Sequence, residues 1–372
     1  MKYVEINKFI PLASPDINQQ DIDCVTAVLR SGMLVQGVNV LALEKSFSDL
    51  NGSKNAIAVS NGTATLHLAL LALGIGKGDE VIVPAFSYVA TANVIEMVGA
   101  TCVFVDIDID TFNIDVTKVE ELITSKTKAI IPVHEFGLAC DIETIMQIAN
   151  KHNLYVIEDA ACALGAMQNG KHTGTFGILG SFSLHPRKSI TCGEGGMLLT
   201  DDDALAKKLR QLRNHGIEMQ DGQMHFVDAG LNYRMTDFQA ALANSQMQRI
   251  ETIIAYKQEL AAVYLNEIKN KDVVLPTVPS DRNHTWQTFH ILIGEEKKQA
   301  VALAALKQDN IGANYGAQCI PATAYYKTKY GLNSEQQFPN AFRAFRKGIA
   351  IPIYEKLTKD IIKQISNSIN RL

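Results

Sequence analysis

No run of about eighteen apolar residues occurs in this chain, so the sequence holds no candidate for a membrane-spanning helix. The opening Met1-Lys2-Tyr3-Val4-Glu5-Ile6 lacks the apolar centre of a secretory signal, and a cytoplasmic protein is expected. Cysteine is sparse and scattered: Cys24, Cys102, Cys140, Cys162, Cys192 and Cys319 form no Cys-x-x-Cys pair, and no histidine stands near them at metal-ligand spacing. That argues against a disulfide framework and against a metal site, and it reads the six as reduced and mostly buried. Basic clusters are missing too. With 35 Lys and Arg against 39 Asp and Glu, the net charge is −4 and no basic block or tail stands out. The chain therefore carries no electrostatic footprint for nucleic acid or an anionic membrane, although one small phosphorylated ligand stays compatible. Internal repeats and low-complexity segments are also lacking.

What is present is enough chain, 372 residues with 47% hydrophobic and 20% charged, for two cored domains. Short apolar runs rich in β-branched residues recur at 56–59, 81–83, 102–105, 129–133, 155–157 and 197–199. Runs of this kind suit strands buried on both faces of a parallel sheet. Between them, 65–73 carries Leu66, Leu70 and Leu73 at helical spacing, and 142–151 repeats the pattern. The alternation predicts a doubly wound α/β layer. The composition shifts near Asp237. From there to about Glu267 the spacing of Phe238, Ala241, Leu242, Gln246, Ile250 and Ile253 predicts one long helix with few breakers. Beyond it, strand-like 273–275 and 288–293 and helix-like 301–308 predict a smaller α+β unit. The expected division is a large α/β domain over 1–245 and a smaller C-terminal α+β domain over 246–372.

Residues 181–196 say most about chemistry. They place Lys188 between a strand-like approach, Ser181-Phe182-Ser183-Leu184, and a glycine-rich turn, Gly193-Glu194-Gly195-Gly196. A lone lysine is ordinarily a solvated surface group. Here, however, the apolar run 154–157 ends in Glu158-Asp159, which delivers a carboxylate to the carboxyl end of a buried strand, where open α/β sheets bind ligands. A lysine and a strand-end aspartate are the two protein groups that pyridoxal phosphate chemistry needs. Asp159 either caps a following helix or pairs with a protonated pyridine nitrogen, and the small residues of Ala160-Ala161-Cys162-Ala163 leave room for a flat ring. Ser60-Asn61-Gly62-Thr63-Ala64-Thr65 follows a strand and opens a helix, which suits both an ordinary cap and a phosphate cradle. Ser183 can add a hydroxyl to that cradle. Tyr88 is either a stacking partner for the ring or an ordinary tyrosine. Asn232 and Arg234, just before the long helix, are either a solvated turn or part of a site. His134, His185 and His215 each end an element and read as loop or capping residues rather than catalytic ones.

Together these segments resemble the nucleotide-sugar aminotransferase family of the DegT/StrS type, within the fold-type-I pyridoxal phosphate enzymes. The resemblance runs from Ser31-Gly32 and Gly37 through Asn61-Gly62-Thr63-Ala64, Gly76-Lys77-Gly78-Asp79-Glu80-Val81 and Phe104-Val105-Asp106. It continues through Pro132-Val133-His134, Ile157-Glu158-Asp159-Ala160-Ala161 and the Ser183 to Gly196 block to Asn232-Tyr233-Arg234-Met235-Thr236-Asp237. It implies a large domain with a mostly parallel sheet sandwiched by helices, plus the smaller α+β domain. Lys188 then matches the Schiff-base lysine, Asp159 the partner of the pyridine nitrogen and Tyr88 the stacking aromatic. Gly62, Thr63, Ala64 and Ser183 match the phosphate contacts, and Asn232 matches an asparagine reaching the phosphate from the other subunit of a homodimer with shared active sites. One position departs from the pattern. Most members carry Gln or His three residues after the aspartate, where this chain has Cys162, so the usual polar contact to the ring oxygen is missing from that place. Cys162 is expected to pack beside the ring, with nothing near it in sequence to lower its thiol pKa.

The activity implied is transfer of an amino group from L-glutamate, through pyridoxal phosphate with pyridoxamine phosphate as intermediate, to a nucleotide-linked keto-deoxysugar. A 4-keto-6-deoxy sugar destined for surface polysaccharide, such as O-antigen, or another glycan is the expected acceptor. Two rivals stand beside it. One is a deoxysugar dehydratase using the same cofactor, against which Lys188 counts because such relatives carry histidine there. The other is a non-catalytic cofactor-binding regulator, against which the lack of a DNA-binding segment counts. A lysine that moves protons near neutral pH must lose its own, so Lys188 is expected below its free value of about 10.4.

Overall fold

A seven-stranded sheet places the site. Its strands stand in the order Asn55–Val59, Gly196–Thr200, Leu179–Ser183, Tyr155–Asp159, Thr127–Ile130, Glu80–Pro84 and Thr101–Val105. The computed structural model describes residues 8–294 and 298–372; the opening hexapeptide lies outside the described residues. Side chains alternate between the two faces, as the pleat requires. Ile57, Val59, Val81, Val83, Ala129, Ile157 and Leu198 join one apolar cluster with Leu66, Leu68 and Leu70 of helix Gly62–Ala72. On the opposite face, Ala56, Ala58, Phe182, Met197 and Leu199 meet Leu43 and Phe47 of helix Val38–Asn51. Ile82, Ile130 and Val156 meet Ile142, Ile145 and Ala149 of helix Ile142–His152. Each fully buried aliphatic side chain contributes about 1.5–3 kcal/mol. A sheet covered on both faces explains why its strands read as unbroken apolar runs.

Two details differ from the sequence expectation. The run at 197–199 was grouped with the parallel strands, yet Gly196–Thr200 pairs antiparallel with both of its neighbours. Residues 184–195, which join it to Leu179–Ser183, contain no helix, and a parallel return needs a crossover, usually helical. The long helix expected from Asp237 to Glu267 is two helices, Asp237–Met247 and Ile250–Glu267. At the break Arg249 has φ −123° and ψ 15°. Its guanidinium is held by the Asp21 carboxylate at 2.8 and 3.0 Å and by the Asp16 carbonyl at 2.8 Å. No glycine or proline marks the place; a contact more than two hundred residues away overrides local helix preference.

Distant contacts fix the first of these helices as well. Asp237 accepts the amides of Gly37, Asn39 and Val40 at 2.9, 3.0 and 3.1 Å, and so caps helix Val38–Asn51 from two hundred residues away. Further along, Val273–Val274, Phe289–Ile293 and Gly348–Ile351 form an antiparallel sheet. It packs with Leu260, Tyr264, Ile362 and Ile365 into a separate cluster. Tyr326, Phe338, Ala341 and Ala344, late in the chain, belong instead to the cluster of the large sheet.

Strand Tyr155–Asp159 ends in two buried acids on opposite faces. Glu158 accepts the amides of Gly174, Phe176 and Gly177, each at 2.7 Å, and meets His134 Nε2 at 2.9 Å. The His134 Nδ1 accepts the Cys140 amide at 3.1 Å, so the ring's remaining proton sits on Nε2 and points at Glu158. This histidine is structural, as its position at an element end suggested. We expect Glu158→Gln to destabilise the protein by about 2–4 kcal/mol, because an amide NH2 would face donors that now meet an oxygen. Urea denaturation measures this, and a loss under about 0.5 kcal/mol would show that the three amides find other acceptors.

Candidate active site

A cavity of about 810 Å³ opens beside the carboxyl ends of strands Tyr155–Asp159 and Leu179–Ser183, where an open α/β sheet binds ligands. Asp159 lies on its wall, 5% exposed. Thr91 donates its hydroxyl to Oδ2 at 2.8 Å, and the Ala161 amide donates to Oδ1 at 3.2 Å. Residues 160–166 form turns, so Asp159 caps no helix and that alternative falls. Burial pushes its carboxyl above the ordinary aspartate range, against the pull of Thr91, Ala161 and Lys188. A buried acid of this kind is a place where a cation, such as a protonated ring nitrogen, is favoured.

Lys188 faces the same cavity from the loop between the antiparallel strands. The loop's base is closed by backbone bonds from Leu184 to Gly195 at 2.8 Å and from Cys192 to Leu184 at 3.1 Å. Gln246 clamps Thr191 through both backbone groups, at 3.0 and 2.7 Å. Gln287 donates to the Arg187 carbonyl at 2.6 Å, which ties the C-terminal part of the chain to the lysine loop. The Lys188 Nζ donates to Cys162 Sγ at 3.0 Å. Burial works against the ammonium, but the Cys162 sulfur and the Asp159 and Glu135 carboxyls outweigh it, so Lys188 is held above its ordinary value. This corrects the expectation of a lowered lysine: the apolar surroundings are there, and the acids around it win. The Cys162 thiol is not lowered, in line with the expectation for it. Lys188 does pull its thiol pKa down, although burial prevails and the thiol remains raised.

The phosphate-cradle residues meet in one corner. A Cβ on Gly62 would sit 2.8 Å from the Ser183 Cβ and 3.1 Å from its hydroxyl, so only glycine lets the start of helix Gly62–Ala72 approach Ser183 this closely. Asn61 caps that helix by accepting the Ala64 amide at 2.8 Å. The Gly62 and Thr63 amides have no acceptor among the described residues. Cap and anion cradle are thus compatible functions of one segment. Tyr88 lines the cavity mouth and is 66% exposed. Asn232 is exposed and does not line this chain's cavity; it forms a bridge with Asn214. Its neighbour Tyr233 does line it, with the hydroxyl 3.0 Å from His67 Nδ1. His185 lines the cavity and also accepts the Arg187 amide at 3.3 Å, the turn role expected of it. Exposed His215 sits in a turn with φ 56°.

Sequence reading missed Thr91, Glu135, Gln287 and Thr288, all of which line the cavity. Glu135 follows His134 in a block already singled out, so an acid there was a usable signal; the others become visible only when distant segments meet. A buried acid, an amine and a glycine-opened helix start around one cavity fit pyridoxal phosphate, with its ring nitrogen, its carbonyl and its phosphate. Among the described residues no group of three or more His, Cys, Asp or Glu side chains is placed to hold a metal ion. No helix among them is long and apolar enough to cross a membrane.

Comparison with known proteins agrees with this geometry. The chain belongs to the DegT/DnrJ/EryC1/StrS aminotransferase family, whose sequence profile matches residues 15–370. It is a pyridoxal phosphate-dependent aminotransferase. The GDP-perosamine synthase of Caulobacter vibrioides is 43% identical over 293 residues, covering 77% of this chain and 78% of that protein. The spore coat polysaccharide biosynthesis protein SpsC of Bacillus subtilis is 36% identical over 378 residues, covering 98% and 97%. Among solved structures, the pyridoxamine phosphate (PMP) form of the sugar aminotransferase Spr1654 from Streptococcus pneumoniae, described as putative, superposes with a TM-score of 0.93. It is 27% identical, with 98% and 97% of the two chains covered.

The Gly62 and Ser183 contact is open to test. Gly62→Ala should cost about 1–3 kcal/mol in denaturant unfolding, and most of that loss should disappear when Ser183→Gly is added. A loss that Ser183→Gly leaves unchanged would show that the two residues do not set each other's spacing.

Proposed function

We propose that the chain forms amino sugars, transferring an amino group from L-glutamate to the keto carbon of a nucleotide-linked deoxysugar, with a 4-keto-6-deoxy sugar as the acceptor. The observation that carries this reading is the meeting of Lys188, Asp159 and the Gly62 and Ser183 corner around one cavity. The relatives support the substrate class. One is named for a GDP-linked product and another for spore coat polysaccharide biosynthesis. By the same reading the product serves surface polysaccharide, such as O-antigen, or another glycan. The division into domains 1–245 and 246–372 draws support from the separate apolar cluster around Leu260, Phe289 and Ile365, while Tyr326, Phe338, Ala341 and Ala344 of the second part pack with the large sheet.

Bound pyridoxal phosphate supplies a carbonyl that takes up the amino group and an electron-poor ring that disperses negative charge. The protein does the rest. Asp159 keeps a proton on the ring nitrogen, which strengthens that dispersal. The Gly62 and Thr63 amides, which have no acceptor among the described residues, and the Ser183 hydroxyl would hold the phosphate, while the Ala64 amide serves the Asn61 cap; Tyr88 would cover one face of the ring. Lys188 holds the cofactor when no amino group is bound and afterwards carries the proton at the reacting carbon. A cation beside Asp159 would offset one of the groups that now hold the Lys188 proton, which favours the neutral amine that this work needs.

Reduction of the loaded enzyme with borohydride should label Lys188 permanently, read by peptide mass spectrometry; a label on any other lysine would overturn the assignment. Asp159→Asn keeps the shape but withdraws the anion, and turnover of a keto sugar with glutamate should fall on the order of a hundredfold. Formation of 2-oxoglutarate reports this reaction, and near-normal turnover in that variant would remove Asp159 from the chemistry.

The same reading makes the protein a homodimer in which Asn232 of each chain completes the other's phosphate site, in keeping with its exposure outside its own cavity. A two-fold interface builds both sites alike. Mixing Lys188→Ala chains with Asn232→Ala chains should then restore activity, to at most about half per heterodimer, since one site becomes wholly wild type. Verified heterodimers as inactive as their parents would sink the shared site.

A further inference from the structure

The carboxyl of Glu135 stands out among the described residues that line the cavity, because its Oε2 is buried and has no hydrogen-bond partner. The residue is 5% exposed. Its backbone is firmly held: the amide donates to Asn113 Oδ1 at 2.8 Å and the carbonyl accepts the Leu138 amide at 3.0 Å. The next residue, Phe136, has φ 58°, a left-handed conformation that disfavours side chains. Several contacts hold it there. The Phe136 ring stacks on His290 at 4.5 Å, and its carbonyl accepts the Thr288 amide at 3.2 Å. Gly137 follows with φ 102°, where a Cβ would lie 2.6 Å from the Thr285 hydroxyl. This tightly specified turn carries an acid to the cavity wall, and no protein group bonds the buried oxygen.

Burying a carboxyl without a partner is costly, so native proteins leave few such groups unexplained. The neighbours do not relieve this one. Asp159 is a like charge, and its own oxygens serve Thr91 and Ala161. The Cys162 sulfur takes the Lys188 amine. Burial first, and then Asp159, push the Glu135 carboxyl up to about 8, with Lys188 and the Phe136 amide pulling the other way. At neutral pH it is therefore mostly a protonated acid, with an O–H to donate. Position 162, whose thiol interacts electrostatically with Glu135, holds only a weak donor at the place where the family resemblance puts the polar contact to the ring oxygen.

We propose that Glu135 is a further cofactor-binding residue, whose carboxyl supplies the hydrogen bond to the cofactor's ring oxygen that the Cys162 thiol does not. The inference rests on the reading of this cavity as the pyridoxal phosphate site. It gives the chain a donor reaching the ring from the loop after strand Thr127–Ile130, in place of one three residues after Asp159.

The test is titration of cofactor-free protein with pyridoxal phosphate, following affinity and the visible absorption band for the wild type, Glu135→Leu and Glu135→Gln, with folding checked by circular dichroism. Glu135→Leu should bind at least about tenfold more weakly and show a displaced band. Glu135→Gln keeps an N–H donor and should match the wild type at neutral pH. Between about pH 7 and about pH 9 the wild type should lose affinity as its acid ionises, a step that the Gln variant lacks. Wild-type affinity and band in folded Glu135→Leu would overturn the proposal. If Glu135→Leu does not fold, the pH profile of Glu135→Gln decides, and a step there identical to the wild type's overturns it equally. Borohydride labelling separates the two readings. A Lys188 label together with a silent Glu135→Leu removes only the inference, whereas a label elsewhere removes the site and the inference together.

Discussion

The carboxylate of Glu158 is the constraint on which the site depends. One buried anion gathers three amides from the 174–177 turn and the ring of His134, and so fixes the end of strand Tyr155–Asp159 against its neighbours. Because strand side chains alternate, anchoring Glu158 on one face leaves Asp159 no choice but the other, where the cavity lies. The two acids divide the work. The first spends all its bonding capacity on the fold, and the second keeps a carboxyl that the protein leaves short of donors and raised by burial. Adjacent residues of one chemical type thus become scaffold and site through direction alone.

Much of this was legible in the sequence. The apolar runs were long enough to announce strands covered on both faces, and the Glu158-Asp159 ending marked where a carboxylate would emerge. The glycine-rich turn after Lys188 was legible for a local reason, since Gly193 has φ 84°, whereas the glycine after Asn61 was legible only as part of a helix start, and the close approach that demands it comes from distant Ser183. What escaped has a common physical character. Arg249 breaks a helix because Asp21 captures it, and Gln287 reaches the lysine loop from a hundred residues away. Neither pairing leaves a periodic trace. The direction of strand Gly196–Thr200 escaped too, because a buried strand looks the same in sequence whichever way it runs.

The lysine's charge shows how composition at a site outweighs its polarity on average. An apolar pocket alone would drive an amine toward neutrality. Here Cys162, Asp159 and Glu135 share the cavity with it, and the balance tips toward the ammonium. Such a lysine responds to what enters, since any ligand that neutralises an acid beside it also changes its proton affinity. The departure at Cys162 can be read in this light: its sulfur enters the balance of which group holds which proton around Lys188.

The loop that carries Lys188 is stitched at its base, at Thr191 and at Arg187, and these ties have an entropic meaning. A loop free to wander would have to be ordered again each time its amine was needed, and that cost would appear in every catalytic cycle. With the backbone already immobilised, only the rotations of one side chain separate the amine from its target. Folding has met that ordering cost in advance, once per molecule.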